Sequence, residues 1–244
     1  MSDTVARADL RALTAARVSL PMTGHSVAME EVLGFELAHA RARDAVHAGF
    51  DGEGFARRVR AEVGMEAVAL RSRAKGRAEY LRHPQLGRLL DDASASRLAR
   101  SGCDVAITVA DGLSALAVER NAIALLAVLV PRLRDCDWSV GPVAVVEQGR
   151  VAVGDAVGEG MGARCGLVLI GERPGLSAAD SMGAYLTWAP RVGRTDAERN
   201  CLSNIRGGGL GVVEAAERLV GLMVAARELG ATGVGLKEGV RGLG

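Results

Sequence analysis

The run Leu167-Val168-Leu169-Ile170 leads directly into Gly171-Glu172-Arg173-Pro174-Gly175, and this join decides the fold. An apolar stretch of strand length ends in a loop that pairs a glycine with a fixed charge. Two earlier stretches have the same form. Residues 103–110 end in Asp111-Gly112-Leu113-Ser114, and Val143-Ala-Val-Val146 ends in Glu147-Gln148-Gly149-Arg150. Helical patterns lie between them, and strands alternating with helices make a doubly wound α/β sheet, mainly parallel, the expected fold. In such a sheet, ligands bind in the crevice beyond the carboxyl ends of the strands. Three such loops together point to a ligand that spreads across the sheet's edge and is larger than a single phosphate.

Working outward, Ser114 is placed to cap a long helix through Leu129, apolar nearly all round and therefore buried. Residues 138–146 read as the second strand, 155–163 as a short helix and 165–170 as the third strand. Residues 184–188 make a fourth, stopped by Pro190. A helix over 212–229 closes at Gly230, and 232–236 reads as a last strand. The first hundred residues read as helical. Met29, Val32, Leu33, Leu37 and Ala40 recur at helical spacing, a short amphipathic stretch surrounds Phe55, Val59 and Val63, and 86–98 is a third helix candidate. The division expected is a helical N-terminal region over 1–100 and an α/β domain over 101–244.

Composition narrows the function. The chain of 244 residues has a net charge of +1. That lacks the clustered positive face of a nucleic-acid binder. Aromatics are only 3%, too few for base-stacking platforms. The longest apolar run, residues 122–130, is far shorter than the ~20 residues of a membrane span. No secretory h-region follows Met1, and Cys103, Cys136, Cys165 and Cys201 match no zinc or redox spacing. The expectation is a cytoplasmic protein with reduced thiols.

Glu172 is the first candidate for ligand binding. A carboxylate held between Gly171 and Pro174 past a buried strand is an anchored acceptor for amide N–H groups. The competing reading is a helix-start charge or a salt bridge to Arg173. The run from Asp111 to Ser114 reads first as turn and cap chemistry. Gly149-Arg150-Val151 reads as a tight turn or as a loop that aims a backbone N–H at a ligand. Thr195-Asp-Ala-Glu198 is a capping box. The polar run Arg199-Asn-Cys201-Leu-Ser-Asn-Ile205, followed by three glycines, looks like a binding loop. Against it stands the commoner buried cysteine. His25, His39, His47 and His83 have no partners at ligand spacing, so no metal site is expected. No serine-nucleophile elbow and no P-loop occur.

Six stretches, in order, resemble one family. They are Phe35-Glu-Leu-Ala-His-Ala-Arg-Ala-Arg-Asp-Ala-Val-His47, Tyr80-Leu-Arg-His-Pro-Gln-Leu-Gly-Arg88 and Ala110-Asp-Gly-Leu-Ser114, followed by Glu147-Gln-Gly-Arg-Val151, Gly171-Glu-Arg-Pro-Gly-Leu-Ser177 and Cys201-Leu-Ser-Asn-Ile205. The chain is similar to the small subunit of ethanolamine ammonia-lyase from about Arg17 to Lys237. The resemblance implies a Rossmann-like domain that covers adenosylcobalamin, and a separate large subunit with a TIM barrel that binds ethanolamine and performs the radical chemistry yielding acetaldehyde and ammonia. It implies cobalamin contacts at Val151 (through its backbone N–H), Glu172 and Cys201, with no catalytic residue and no metal ligand on this chain. The histidine motif Asp-x-His-x-x-Gly is absent, so the cofactor is expected to stay base-on, keeping its own dimethylbenzimidazole below cobalt. Pro21-Met-Thr-Gly24 departs from the family's usual Gly-Arg-x-Gly. Leu202 replaces the usual isoleucine. No long N-terminal extension of the kind that targets a bacterial microcompartment is seen. The alternative from another class is a stand-alone Rossmann-like protein binding a nucleotide or small molecule, against which the missing phosphate-binding glycine motif counts.

Overall fold

The computed structural model describes residue 14 and residues 16–236. A small hairpin, β1 (Met22–Thr23) and β2 (Ser26–Val27), leads into helix α1 (Met29–His47). Helix α2 (Gly52–Arg58) follows, capped by Asp51, whose side chain accepts from the Gly54 N–H, and it runs on through a π-turn at Val59–Val63. Strand β3 (Ala67–Arg71) is followed by the short helices α3 (Arg77–Arg82) and α4 (Asp92–Ser96). Then come β4 (Val105–Ala110), α5 (Ala115–Asp135), β5 (Val143–Glu147), α6 (Val153–Met161), β6 (Cys165–Gly171), β7 (Met182–Trp188), β8 (Arg199–Ile205) and α7 (Val212–Leu229).

Six strands form one sheet in the order β3-β5-β4-β6-β7-β8. The first four are parallel neighbours, and β7 and β8 are added antiparallel at one edge. Helices cover both faces. Phe55 of α2, Leu126 and Leu129 of α5, and Leu219 and Met223 of α7 pack on Val105, Ile107 and Val109. On the opposite face Val153, Val157 and Met161 of α6 pack on Ala106, Ala144 and Val146. The mainly parallel α/β class read from the sequence is therefore what the structure shows. The chain leaves β4 toward one face and β5 toward the other, which opens a crevice at their carboxyl ends.

Several elements differ from the sequence reading, each for a local reason. Residues 67–71, read as helical, are β3. They pair with β5 from Ala67↔Val143 to Arg71↔Glu147, so the sheet draws a strand from within the first hundred residues. Residues 86–98 are a 3-10 turn at Pro84–Arg88, a single bridge from Ser72 to Leu90, and α4. Helix α5 starts where Ser114 caps it but runs past Pro131 to Asp135. Leu133 is fully buried beyond the proline, and Arg132 donates to the Val128 carbonyl at 3.1 Å, so packing overrides the lost N–H. The second strand begins at Val143, because Trp138 turns inward under Arg227, 4.7 Å from its ring centre. The polar run 199–205 is no loop but the edge strand β8. Residues 232–236 hold a 3-10 turn, Gly233–Gly235, instead of a strand.

Candidate functional site

The three loops quoted at the outset meet above the crevice. Asp111, one residue past β4, is 1% exposed and organises the floor. It accepts from the Gly149 N–H at 3.1 Å, and Arg77 approaches it to 3.4 Å. Arg77 also donates to the carbonyls of Gly112 (2.8 Å) and Val46 (2.5 Å), which ties α1 and α3 to this corner. Burial pushes the Asp111 carboxyl up to about 7, against the pull of Arg77 and the N–H groups around it. The turn chemistry first assigned to Asp111-Gly-Leu-Ser114 is thus only part of its role. Tyr80 is fully buried, donates its hydroxyl to the Gly149 carbonyl at 3.1 Å, and lies between Arg77 and Arg150.

The loops after β4 and β6 are in backbone contact. The Leu113 N–H donates to the Gly171 carbonyl at 2.9 Å, and Ser114 Oγ donates to the Ala179 carbonyl at 2.8 Å. A Cβ on Gly171 would lie 2.0 Å from the Ser114 carbonyl oxygen. Gly112, with φ +56°, would place one 2.2 Å from the Gly171 carbonyl oxygen. Only glycine fits at either position.

Above this floor is a cleft of about 400 Å³, lined among others by Tyr80, Gly112, Val151, Ile170, Glu172 and Tyr185. A neighbouring hollow of about 570 Å³ shares Arg150, Val151, Arg173 and Tyr185 with it, so the two form one trough. Val151 follows a turn in which Gln148 has φ +57° and the Arg150 N–H donates to the Gly87 carbonyl at 2.7 Å. The Val151 side chain packs on Ala110, Val168 and Ile170, while no described residue accepts its N–H. Glu172 forms no ion pair with Arg173 among the described residues. Its Oε2 accepts from Ser181 Oγ and from the Asn204 N–H (3.2 Å), and no described residue donates to Oε1. Gly183 makes room for that carboxylate, since a Cβ there would sit 3.0 Å from Oε1.

Cys201 lies exposed on β8, 3.4 Å from Ser203 Oγ. It is the cross-strand partner of Tyr185. Burial pushes the Tyr185 phenol above the usual tyrosine range, and the neighbouring Cys201 thiol and Glu172 carboxylate add to the shift. The structure therefore brings the three sequence candidates together. Val151 and Glu172 line one cleft, and Cys201 joins them through Tyr185, a residue that sequence reasoning missed. The capping box at Thr195 is present, with its N–H donating to Glu198 Oε2 at 2.7 Å. A hollow of similar size beside β3 is lined by Arg71, Arg73, Asp92 and Glu147. Its charges pair with each other, Arg71 with Glu147 at 3.2 Å and Arg73 with Asp92 at 3.6 Å. Among the described residues no cluster of three or more His, Cys, Asp or Glu is placed to hold a metal, and no helix is long and apolar enough to cross a membrane.

Fold and cleft define an α/β protein with a hydrogen-bond donor and an acceptor at its strand ends that are unpaired among the described residues. Residues 5–237 match the family model of the ethanolamine ammonia-lyase light chain (EutC), and the chain belongs to that family. It is 50% identical over 235 residues to the ethanolamine ammonia-lyase small subunit of Ralstonia nicotianae, covering 94% of this chain and 87% of the relative. The small subunit of Azotobacter vinelandii is 49% identical over 235 residues, with the same coverage. That of Xanthomonas campestris pv. campestris is 50% identical over 237 residues, covering 95% of this chain and 87% of the relative.

Proposed function

We propose that this chain is the small subunit of an adenosylcobalamin-dependent ethanolamine ammonia-lyase, active only with a large subunit whose TIM barrel binds ethanolamine. The observation that carries the cofactor assignment is the pairing of two groups in one trough. Among the described residues the Val151 N–H has no acceptor and Glu172 Oε1 has no donor. A corrin carries a rim of amide side chains, and each amide both donates and accepts, so this donor–acceptor set suits it. The glycines at 112 and 171 keep the floor free of side chains at that point. The residues present fit the group.

Val151 would hold a rim carbonyl, Glu172 a rim amide N–H, and Cys201 would contact the same rim. Adenosylcobalamin, when bound, would supply the radical chemistry by which ethanolamine loses ammonia to give acetaldehyde. This chain's part is to hold the cofactor's outer face against the large subunit and exclude water from the reacting centre. On this reading the cofactor is base-on, keeping its own dimethylbenzimidazole below cobalt. We place the enzyme in the cytoplasm.

The test is acetaldehyde formation from ethanolamine and adenosylcobalamin by this chain, by its large subunit, and by both co-expressed. Activity and retained cobalamin only in the pair are expected. A pair that binds no cobalamin overturns the reading and favours a stand-alone nucleotide or small-molecule binder. A pair that holds cobalamin but leaves ethanolamine intact moves the substrate to another amino alcohol.

A further inference from the structure

Helix α1 is apolar on two opposite sides, and only one of them is covered. Of its nineteen residues, only Ala42 and Ala45 are buried. At about 100° per residue, Met29, Val32, Leu33 and Leu37 fall within an arc of roughly 140°, centred opposite those two alanines. Met29 is 71% exposed, Leu33 57% and Leu37 52%. Seven of the twelve exposed large apolar side chains among the described residues lie between Met22 and Leu37, all but Phe35 on the stripe or on the hairpin before it. The exposure is concentrated, which marks a contact surface and not ordinary scatter. A helix apolar on both sides is one that sits between two bodies.

We propose that this stripe seats in an apolar groove that also carries basic side chains on the large subunit. The inference rests on the partnership proposed above and assigns it a surface. Size argues against a second copy of this chain. From Met29 to Leu37 the stripe is about 12 Å long, and two such strips bury far less than the ~1,200 Å² of a stable interface. A larger body can cover the stripe together with the hairpin before it, where Met22 and Val27 form an exposed cross-strand pair. Charge argues the same way. At the same ~100° per residue, Glu30 borders the stripe beside Leu37 and Glu36 falls inside it between Val32 and Met29, both exposed and neither in an ion pair among the described residues. A groove that carries basic side chains would neutralise both.

The experiment co-expresses the chain with a tagged large subunit. The double variant Leu33→Glu/Leu37→Glu is compared with Val192→Glu, an exposed apolar position far along the chain. Association should weaken at least tenfold in the first and stay unchanged in the second, with circular dichroism unaltered in both. In parallel, a Leu33→Cys variant is treated with maleimide and position 33 is read by peptide mass spectrometry. Labelling should be fast in the isolated chain and slow in the complex. Full association of the double variant overturns the surface assignment alone. So does slow labelling of the isolated chain, which assigns the stripe to residues 1–13 when independent of concentration and to a second copy when it grows with concentration. Failure of the wild-type chain to bind the large subunit overturns the partnership as well.

Discussion

Replacing Glu172 by glutamine changes one atom and reverses the character of the cleft wall. The Asn204 N–H lies 3.2 Å from Oε2 and needs an acceptor there. In the variant the amide oxygen must take the Oε2 position, where it still accepts from Asn204 and Ser181. The NH₂ then occupies the Oε1 position, so the group facing the ligand changes from acceptor to donor. The ligand loses a hydrogen bond to a charged group, worth about 1.5–3 kcal/mol, or roughly 10- to 150-fold in Kd at ~1.4 kcal/mol per decade. Glu172→Ala should lose a similar amount, because it also leaves the ligand amide unpaired. The assay is a spectroscopic titration of cobalamin into the assembled complex, with a urea melt to check the fold. The melt should shift little for glutamine, since both internal bonds survive. A glutamine variant that binds cobalamin like the parent would refute the assignment of Oε1 as the acceptor.

The contact proposed for Val151 uses the backbone, so Val151→Ala should weaken cobalamin binding less than threefold, whereas Val151→Pro removes the N–H and should cost tenfold or more; equal effects would exclude the N–H. Arg199 and Asp155 are both 2% exposed and joined by two hydrogen bonds of 2.6 and 2.7 Å. Asp155→Ala leaves the buried Arg199 with only the exposed Asp196 as a carboxylate partner, 3.5 Å from its Nε, and should cost about 3–5 kcal/mol by urea denaturation, with much of it regained in Asp155→Leu/Arg199→Met. Asp111 has its folded value raised from 3.8 to about 7. Folding therefore favours its protonated form, and its contribution is fully present below pH 3.8 and lost as pH rises to about 7. Relative to Asp111→Asn, the parent should lose up to about 1.4 kcal/mol per pH unit across that window. Parallel stability curves would show that the carboxyl titrates normally.

The parts of the fold that read clearly from the sequence are those where burial and spacing agree. β4 and β6 are buried at every position, with Thr108 the one polar side chain in either strand, because both faces of the sheet are covered. Strand β3 escaped notice because Ala67-Val-Ala-Leu-Arg71 is short, with alanine at two of its five positions, and its pairing with β5 is invisible locally. Strand β8 looked like a loop because an edge strand can leave Cys201, Ser203 and Asn204 in solvent, while its buried charge, Arg199, takes its partner from α6. Glu172 and Val151 were legible because both sit in loops directly after strands. Tyr185 was not, because it lies mid-strand. Its signal was the alternation of β7, in which Met182, Ala184 and Leu186 face the helices and Tyr185 faces the other way, beside Val168 and Ile170. Nor does a string of residues show that Asp111 is sealed under Gly149 and beside Arg77. That follows only from β4 and β5 lying side by side.

The contact between Gly112, Ser114 and Gly171 also settles when the entropy of ordering the site is lost. Loops fastened backbone to backbone across two strands are ordered as the sheet forms, together with the start of the longest helix. The cofactor proposed for the trough would meet a wall already in place, so little of its binding free energy would be consumed in arranging Glu172. Calorimetry of cofactor binding should then show a heat-capacity change set by the surface covered, without the added signature of a loop that folds around its ligand.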